Sequence, residues 1–251
     1  MPENPMPTVV SVAMASYNGM RYIDAQVSSI LASLRADDEL VIVDDGSTDG
    51  TWAWLSSIAD PRVRVSRNPT NLGVRRCFER ALTLTRHDIV FLADQDDVWE
   101  SAKRDTFVAA FHDDPGCVLV ISDARMIDQR GDVLQPSFMA TRGGFAGSLA
   151  ATILRNRYLG CALAVRRVVI AAALPIPKGA PMHDMWIGAI ATSVGRIRYL
   201  PEPLLRYRRH GGNVSPSTSQ SAWQMLRWRV ALLLLVLRRS ASLAARRSGG
   251  Q

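Results

Sequence analysis

The chain has 251 residues, 47% of them hydrophobic, and a formal net charge of +7. That length carries one large domain or a domain with a small appendage, and that apolar content excludes bulk disorder. Residues 221–251 hold six arginines (Arg227, Arg229, Arg238, Arg239, Arg246, Arg247) and no acid, so taking six from +7 leaves +1 for the rest; a basic nucleic-acid-binding body is thereby excluded.

TVVSVAMAS (8–16) is short, apolar and rich in valine, the pattern of a buried strand. Residues 20–35 then place Ile23, Val27, Ile30, Leu31 and Leu34 on one helical face. LVIVDD (40–45) predicts a second strand, and a helix from about Asp49 turns Trp52, Leu55 and Ile58 inward. VRV (63–65) predicts a third strand, and residues 72–85 carry Val74, Phe78, Ala81 and Leu82 at helical spacing. DIVFLAD (88–94) is a fourth strand, a helix covers about 99–113, and CVLVISD (117–123) is a fifth strand. The glycine-rich stretch 131–150 reads as loops. GCALAVR (160–166) predicts a strand, 183–194 a helix, and IRYL (197–200) and PLLRYR (203–208) two further strands. Strands alternating with helices predict an α/β fold with a mostly parallel central sheet, Rossmann-like and covered on both faces.

Cys77, Cys117 and Cys161 lie about 40 residues apart, without the CxxC spacing of a zinc or redox site. They read as small buried hydrophobes in a reducing compartment. MPENPMPTVV has neither a basic region nor a long apolar run, so a cytoplasmic setting is the expectation.

In parallel sheets, ligands bind beyond the carboxyl ends of the strands. There the first strand runs into Ser16-Tyr17-Asn18-Gly19 and the second into Asp44-Asp45-Gly46-Ser47. The fourth runs into Asp94-Gln95-Asp96-Asp97 and the fifth into Ser122-Asp123. One aspartate at a helix start needs no explanation. Three crowded at the end of a buried strand need a cation. Asp-x-Asp puts two carboxylates on the same side of extended backbone, where they can share Mg²⁺ or Mn²⁺ with phosphate oxygens. FLADQDDV also fits the DxDxV pattern of haloacid-dehalogenase-type phosphatases, although there the motif usually closes the first strand and here it closes the fourth. The absence of GxxxxGK[ST], GxGxxG and GxSxG removes the P-loop, dinucleotide and hydrolase-elbow readings.

SVAMASYNG, VDDGSTDGT, NPTNLGVRRCFERAL and FLADQDDVW, in that order and spacing, resemble the nucleotide-sugar half of family 2 glycosyltransferases of GT-A fold. With GCALAV, MHDMW and YRRHGGNVS downstream, the chain is similar to the bacterial branch that includes rhamnosyltransferases of surface-polysaccharide synthesis. The resemblance covers about residues 8–210. It implies a GT-A domain over 1–217, with a nucleotide-sugar half (8–125) and an acceptor half (126–217), followed by a basic amphipathic tail (218–251). The activity it implies is metal-dependent, inverting transfer of a sugar from a nucleotide diphosphate, such as dTDP-rhamnose or a UDP-sugar, to a hydroxyl of a surface-polysaccharide or lipid-linked glycan.

Carried over residue by residue, the resemblance places Tyr17 and Asn18 in the base pocket and Asp44 or Asp45 on the base or ribose. Asn71, Gly73, Arg76 and Gln95 belong near the nucleotide. Asp94 and Asp96 match the DxD that holds Mg²⁺ or Mn²⁺, with His210 as a further candidate ligand, and Asp97 lies in the second rank or on the sugar. Asp184 matches the catalytic base. His183 stands where the family more often has Glu, with Trp186 beside it on the acceptor side. A DxD phosphatase, or an inactive GT-A scaffold that binds membrane surfaces, remains an alternative.

The tail reads WQMLRWRVALLLLVLR (223–238), whose continuous apolar run is Val230 to Leu237. Eight residues fall well short of the ~20 that span a bilayer. Between tryptophans and arginines they suit either an interfacial helix on the inner leaflet or a helix packed on the domain or on a second subunit. QMLRW (224–228) also spells the QxxRW of processive family members, a match read here as accidental.

Overall fold

The computed structural model describes residues 8–211 and 222–248. In chain order its elements are β1 (Val10–Ser16), α1 (Ile23–Ser33), β2 (Glu39–Asp44), α2 (Thr51–Ser56), β3 (Val63–Arg67), α3 (Val74–Leu84), β4 (Ile89–Ala93) and β5 (Val98–Trp99). Then follow α4 (Lys103–Asp113), β6 (Cys117–Ile127), β7 (Val133–Gln135), α5 (Phe138–Thr141), α6 (Leu149–Leu154), a 3₁₀ turn (Gly160–Ala162) and β8 (Leu163–Arg166). α7 (Arg167–Ala173), α8 (His183–Val194), β9 (Arg196–Arg208) and α9 (Ala222–Ser248) complete the order.

The sheet runs β3-β2-β1-β4-β8-β6-β9-β5, with β7 paired to β6. Its first four strands are all parallel. Every residue of β1, β2 and β4 is buried, so both faces of this half are covered, as the unbroken apolar runs require. The expected α/β sheet is present, and its second half is mixed. β8 lies antiparallel between β4 and β6, while β9 is parallel to β6 and antiparallel to β5.

Three consequences position the site. Ser16 pairs with Asp44 and Met14 with Ala93, so the loops after β1, β2 and β4 leave from one edge. Because β8 runs against β4, with Ala164 opposite Phe91, the 3₁₀ turn before β8 meets that same edge. Because the end of β9 pairs with β5, Arg208 and His210 return beside Asp96 and Asp97.

Two expected strands, 197–200 and 203–208, form the single strand β9. Pro201 and Pro203 lack an N–H for the ladder, and the β6–β9 register shifts at Ser122/Asp123, where Asp123 faces Pro203. The expected strand end at Asp123 is therefore mid-strand. Its carboxylate accepts the amides of Ala124 and Met139 and the Ser137 hydroxyl, anchoring α5 instead of joining the rim. The loops read over 131–150 hold β7, α5 and the start of α6.

Candidate active site

The rim loops are built from interlocking polar contacts. The Gln95 carbonyl oxygen accepts the Tyr17 amide at 2.7 Å and the Ser16 hydroxyl at 3.0 Å, while its NH₂ donates to the Tyr17 carbonyl at 2.9 Å. Gln95 thus clasps the β1 loop to the β4 loop. A Cβ on Gly19 would come within 2.3 Å of the Gln95 amide oxygen, so the clasp requires glycine there. Gln95→Ala is expected to cost ~1–2 kcal/mol of stability through these bonds. The check is urea denaturation, together with weaker nucleotide binding as Tyr17 loses its anchor.

Asn18, at φ 49°, binds the β2 loop: its amide donates to the Ser47 hydroxyl and its side-chain oxygen accepts the Thr48 amide. The two β2 aspartates have different jobs. Asp44 is fully buried in its own turn, accepting the amide and hydroxyl of Ser47 and pairing with Arg67 at 3.3 Å. Asp45 faces the cleft and accepts the amides of Leu72 and Gly73 and the side chain of Asn68.

A cleft of about 340 Å³ opens at this edge, within the usual range for small-molecule sites. Its lining brings together Tyr17, Asp45, Asn71, Gly73, Asp94, Gln95, Asp96, His183 and Asp184 of the expected set. Asn18, Asp44, Arg76, Asp97, Trp186 and His210 do not line it. Arg76 pairs with Glu79 one turn along α3. Trp186 is fully buried and donates its indole N–H to the Ala173 carbonyl, so it packs core instead of facing an acceptor. His210 sits behind the lining, its Nε2 at 2.7 Å from Asp96 Oδ2. The expectation missed Gly160 and Leu159 of the turn before β8, and Tyr207 of β9, all in the lining. No spacing in the sequence carries those long-range contacts.

Among the described residues, four aspartates line the cleft (Asp45, Asp94, Asp96, Asp184), and no lysine or arginine does. Burial, then the charges of Asp97, Asp96 and Asp184, push the Asp94 carboxyl well above the usual carboxylate range. Burial and Asp96 push Asp97 upward as well. Asp97 is fully buried beneath the cleft, with Oδ1 accepting the Arg208 amide and Oδ2 without a hydrogen-bond partner, so a direct sugar contact does not fit it. The buried ammonium of Lys103 lies in the same interior, 4.3 Å from the Trp99 ring centroid and bonded to the Cys161 carbonyl at 2.7 Å. Burial pulls its pKa down to about 8, against the opposing pull of Cys161, Asp97 and Asp94.

Ligand atoms of Asp94, Asp97 and Cys161 come within 4.8 Å of one another. Burial holds the Cys161 thiol protonated, and a soft, protonated sulfur suits neither Mg²⁺ nor Mn²⁺. Asp94 and Asp96 supply hard oxygens facing the cleft, so the donor set fits such an ion on that side.

At the far wall α8 begins with His183 and Asp184. Burial raises the Asp184 carboxyl to about 6, opposed by backbone amides including Met185 N–H at 2.6 Å. His183 stacks on Phe78, with centroids 4.1 Å apart, and burial lowers its pKa to about 3, so the ring is neutral. Neither ring nitrogen has a hydrogen-bond partner among the described residues.

A parallel first half of the sheet, a mixed second half and an acidic cleft at its edge define the GT-A class. The fold is shared with S. aureus TarS in complex with UDP-GlcNAc (TM-score 0.69, 20% identity, 90% of this chain and 66% of that one). It is shared too with the mannosyltransferase PcManGT from Pyrobaculum calidifontis in complex with GDP-Man and Mn²⁺ (TM-score 0.62, 18% identity, 99% and 77%). The chain belongs to glycosyl transferase family 2, whose family model matches residues 11–171. An uncharacterized glycosyltransferase of Nostoc sp. is 30% identical over 214 residues, covering 81% of this chain and 66% of that protein. The E. coli UDP-Glc:alpha-D-GlcNAc-diphosphoundecaprenol beta-1,3-glucosyltransferase WfaP is 33% identical over 95 residues, 38% of each chain.

Proposed function

We propose that this chain is a metal-dependent, inverting glycosyltransferase that moves a sugar from a nucleotide diphosphate to a hydroxyl of a surface-polysaccharide or lipid-linked glycan. The observation that carries the reading is the cleft's charge: four carboxylates and, among the described residues, no lysine or arginine in its lining. A diphosphate entering alone would meet like charge. Asp94 and Asp96 would hold Mg²⁺ or Mn²⁺ against it, and His210, at Asp96, orients that carboxylate. Such an ion, when bound, supplies Lewis-acid stabilisation of the departing diphosphate.

The chain's own residues do the rest. Asp45, with the loop that Gln95 clasps, receives the nucleoside, beside Tyr17 and Asn71. Asp184 takes the acceptor's proton as its oxygen bonds the anomeric carbon and the carbon–phosphate oxygen bond breaks. Attack from the face opposite the leaving group inverts the anomeric configuration. His183, neutral, brings one N–H donor and one acceptor nitrogen to the buried wall beside Asp184. His183→Phe keeps the stack on Phe78 and removes both nitrogens. We expect about a tenfold loss of kcat/KM with stability unchanged or higher, because an unpaired buried polar group is gone. Steady-state kinetics and thermal melts check both halves.

For the donor, dTDP-rhamnose follows from the resemblance to rhamnosyltransferases, and a UDP-sugar from the UDP-Glc in the name of the E. coli relative. A thermal-shift screen of nucleotide diphosphates and nucleotide sugars, with and without Mn²⁺, decides. Stabilisation that needs both metal and one nucleotide is expected. Equal stabilisation in EDTA would sink the metal-bridged reading, and a phospho-aspartate at Asp94 would favour a phosphatase. The setting this reading expects is the cytoplasmic face of the inner membrane, where lipid-linked acceptors are met.

A further inference from the structure

α9 is an amphipathic helix with two apolar faces. Its inner face is seated on the domain: Leu232 and Val236 are 0% and 1% exposed, and Leu235 and Leu243 pack on the same core. The Arg239 guanidinium donates to the carbonyls of Ala172 in the last turn of α7 and of Leu174 and Pro175 just after it, and Arg229 donates to the Leu154 carbonyl on α6. The helix is therefore docked along one side.

The opposite face should be polar. Instead Val230, Leu233, Leu234 and Leu237, at i, i+3, i+4 and i+7, are 49%, 38%, 49% and 55% exposed. Leu154, 64% exposed and bonded through its carbonyl to Arg229, adds to the patch from α6. Exposed Arg227 and Arg238 lie at the two ends of the stripe. The run 221–251 has no acid at all.

We propose that this outer stripe of α9 docks on an anionic phospholipid bilayer, lying in the plane of its surface. The charge pattern selects that occupant. A second copy of the helix would bring arginine against arginine with no carboxylate to pair them, whereas anionic headgroups neutralise both ends while the leucines enter the acyl boundary. No described helix is long and apolar enough to cross a membrane, which fits a helix that lies on the surface. The helix also reaches the segment that leads into the cleft lining: Leu235 Cδ1 comes within 3.6 Å of where a Cβ of Gly179 would sit, three residues before the cleft-lining Met182. The QMLRW match falls on this helix, with Arg227 and Trp228 exposed and outside the cleft lining; the Gln224 side chain lies outside the described residues.

The test is flotation of the full chain with phosphatidylcholine vesicles, plain or with about 30% phosphatidylglycerol. The wild type should float with the anionic vesicles and fall at least about tenfold on plain ones. Leu233→Glu/Leu237→Glu should lose binding, with the milder Leu233→Gln/Leu237→Gln pair as a second variant. Arg227→Glu/Arg238→Glu should lose the preference for anionic lipid. Each variant should keep the wild-type Mn²⁺-dependent nucleotide shift, which separates failure of this surface from failure of the transferase reading. Unchanged flotation of both leucine pairs, equal binding to plain vesicles, or a wild-type dimer that the leucine substitutions split would each overturn the proposal.

Discussion

Asp184→Asn is expected to lower the rate of acceptor-dependent transfer by about 10²–10⁴-fold, the usual contribution of a general base. Donor binding should survive, because Asn keeps the shape of the side chain and Asp184 lies on α8, outside the loops after β1, β2 and β4 that are proposed to receive the nucleotide. Its surroundings suit the role. At the first turn of α8 it is 8% exposed, and burial raises its carboxyl to about 6. The basic form is the active one. As pH falls through about 6 the carboxylate takes up a proton and kcat should drop, with the limb flattening above that value. In Asp184→Asn the limb should vanish along with the rate. Single-turnover transfer across pH 5–8 measures both, at pH values about one to two units either side of the raised pKa. Transfer at the wild-type rate in the Asn variant would remove Asp184 from the mechanism.

Much of this cleft is legible in the sequence, because half of it lies on consecutive strand ends. A run such as TVVSVAMAS followed by SYNG, or LVIVDD followed by GS, fixes both a buried parallel strand and what leaves its carboxyl end. Illegible parts depend on long-range pairing. Nothing local shows that β8 runs antiparallel into the middle of the sheet, so Gly160 and Leu159 were not expected beside Asp94. Local patterns also cannot divide like residues. Asp44 and Asp45 are adjacent and both follow a strand, yet one caps its own turn and the other faces the cleft. Trp186 was placed on the acceptor side from its position next to His183-Asp184, but two residues along a helix turn it toward the opposite face and into the core. The tail held two readings that looked exclusive. With one face of α9 seated on the domain and the other exposed, the structure accommodates packing on one side and leaves a surface on the other.

Asp94→Asn is expected to abolish the Mn²⁺-dependent nucleotide shift and, in EDTA, to raise the melting temperature. The two effects have one cause. Asp94 shares a poorly hydrated space with Asp96, Asp97 and Asp184, and burial and their charges push its carboxyl well above the usual carboxylate range. For an acid shifted upward, ionisation is easier in the unfolded chain than in the folded one. Stability is therefore lost as pH rises past the unfolded value, and at neutral pH the wild type carries that penalty without a metal to offset it. Asn removes one of the crowded charges at nearly constant shape. Each 1 kcal/mol recovered would raise Tm by roughly 2–4 °C in a chain of this size. The gain should grow as pH rises above about 4 and vanish below about pH 3, where the wild-type carboxyl is protonated in both states. With Mn²⁺ and nucleotide present the order should reverse, since the wild type gains binding energy that the variant has lost. Thermal melts of both proteins at two pH values, in EDTA and in Mn²⁺ with nucleotide, give the full pattern. If Asp94→Asn instead melts lower in EDTA, then the cluster is balanced from within, with the buried ammonium of Lys103 as its counter-charge, and the case for a divalent ion fails with it.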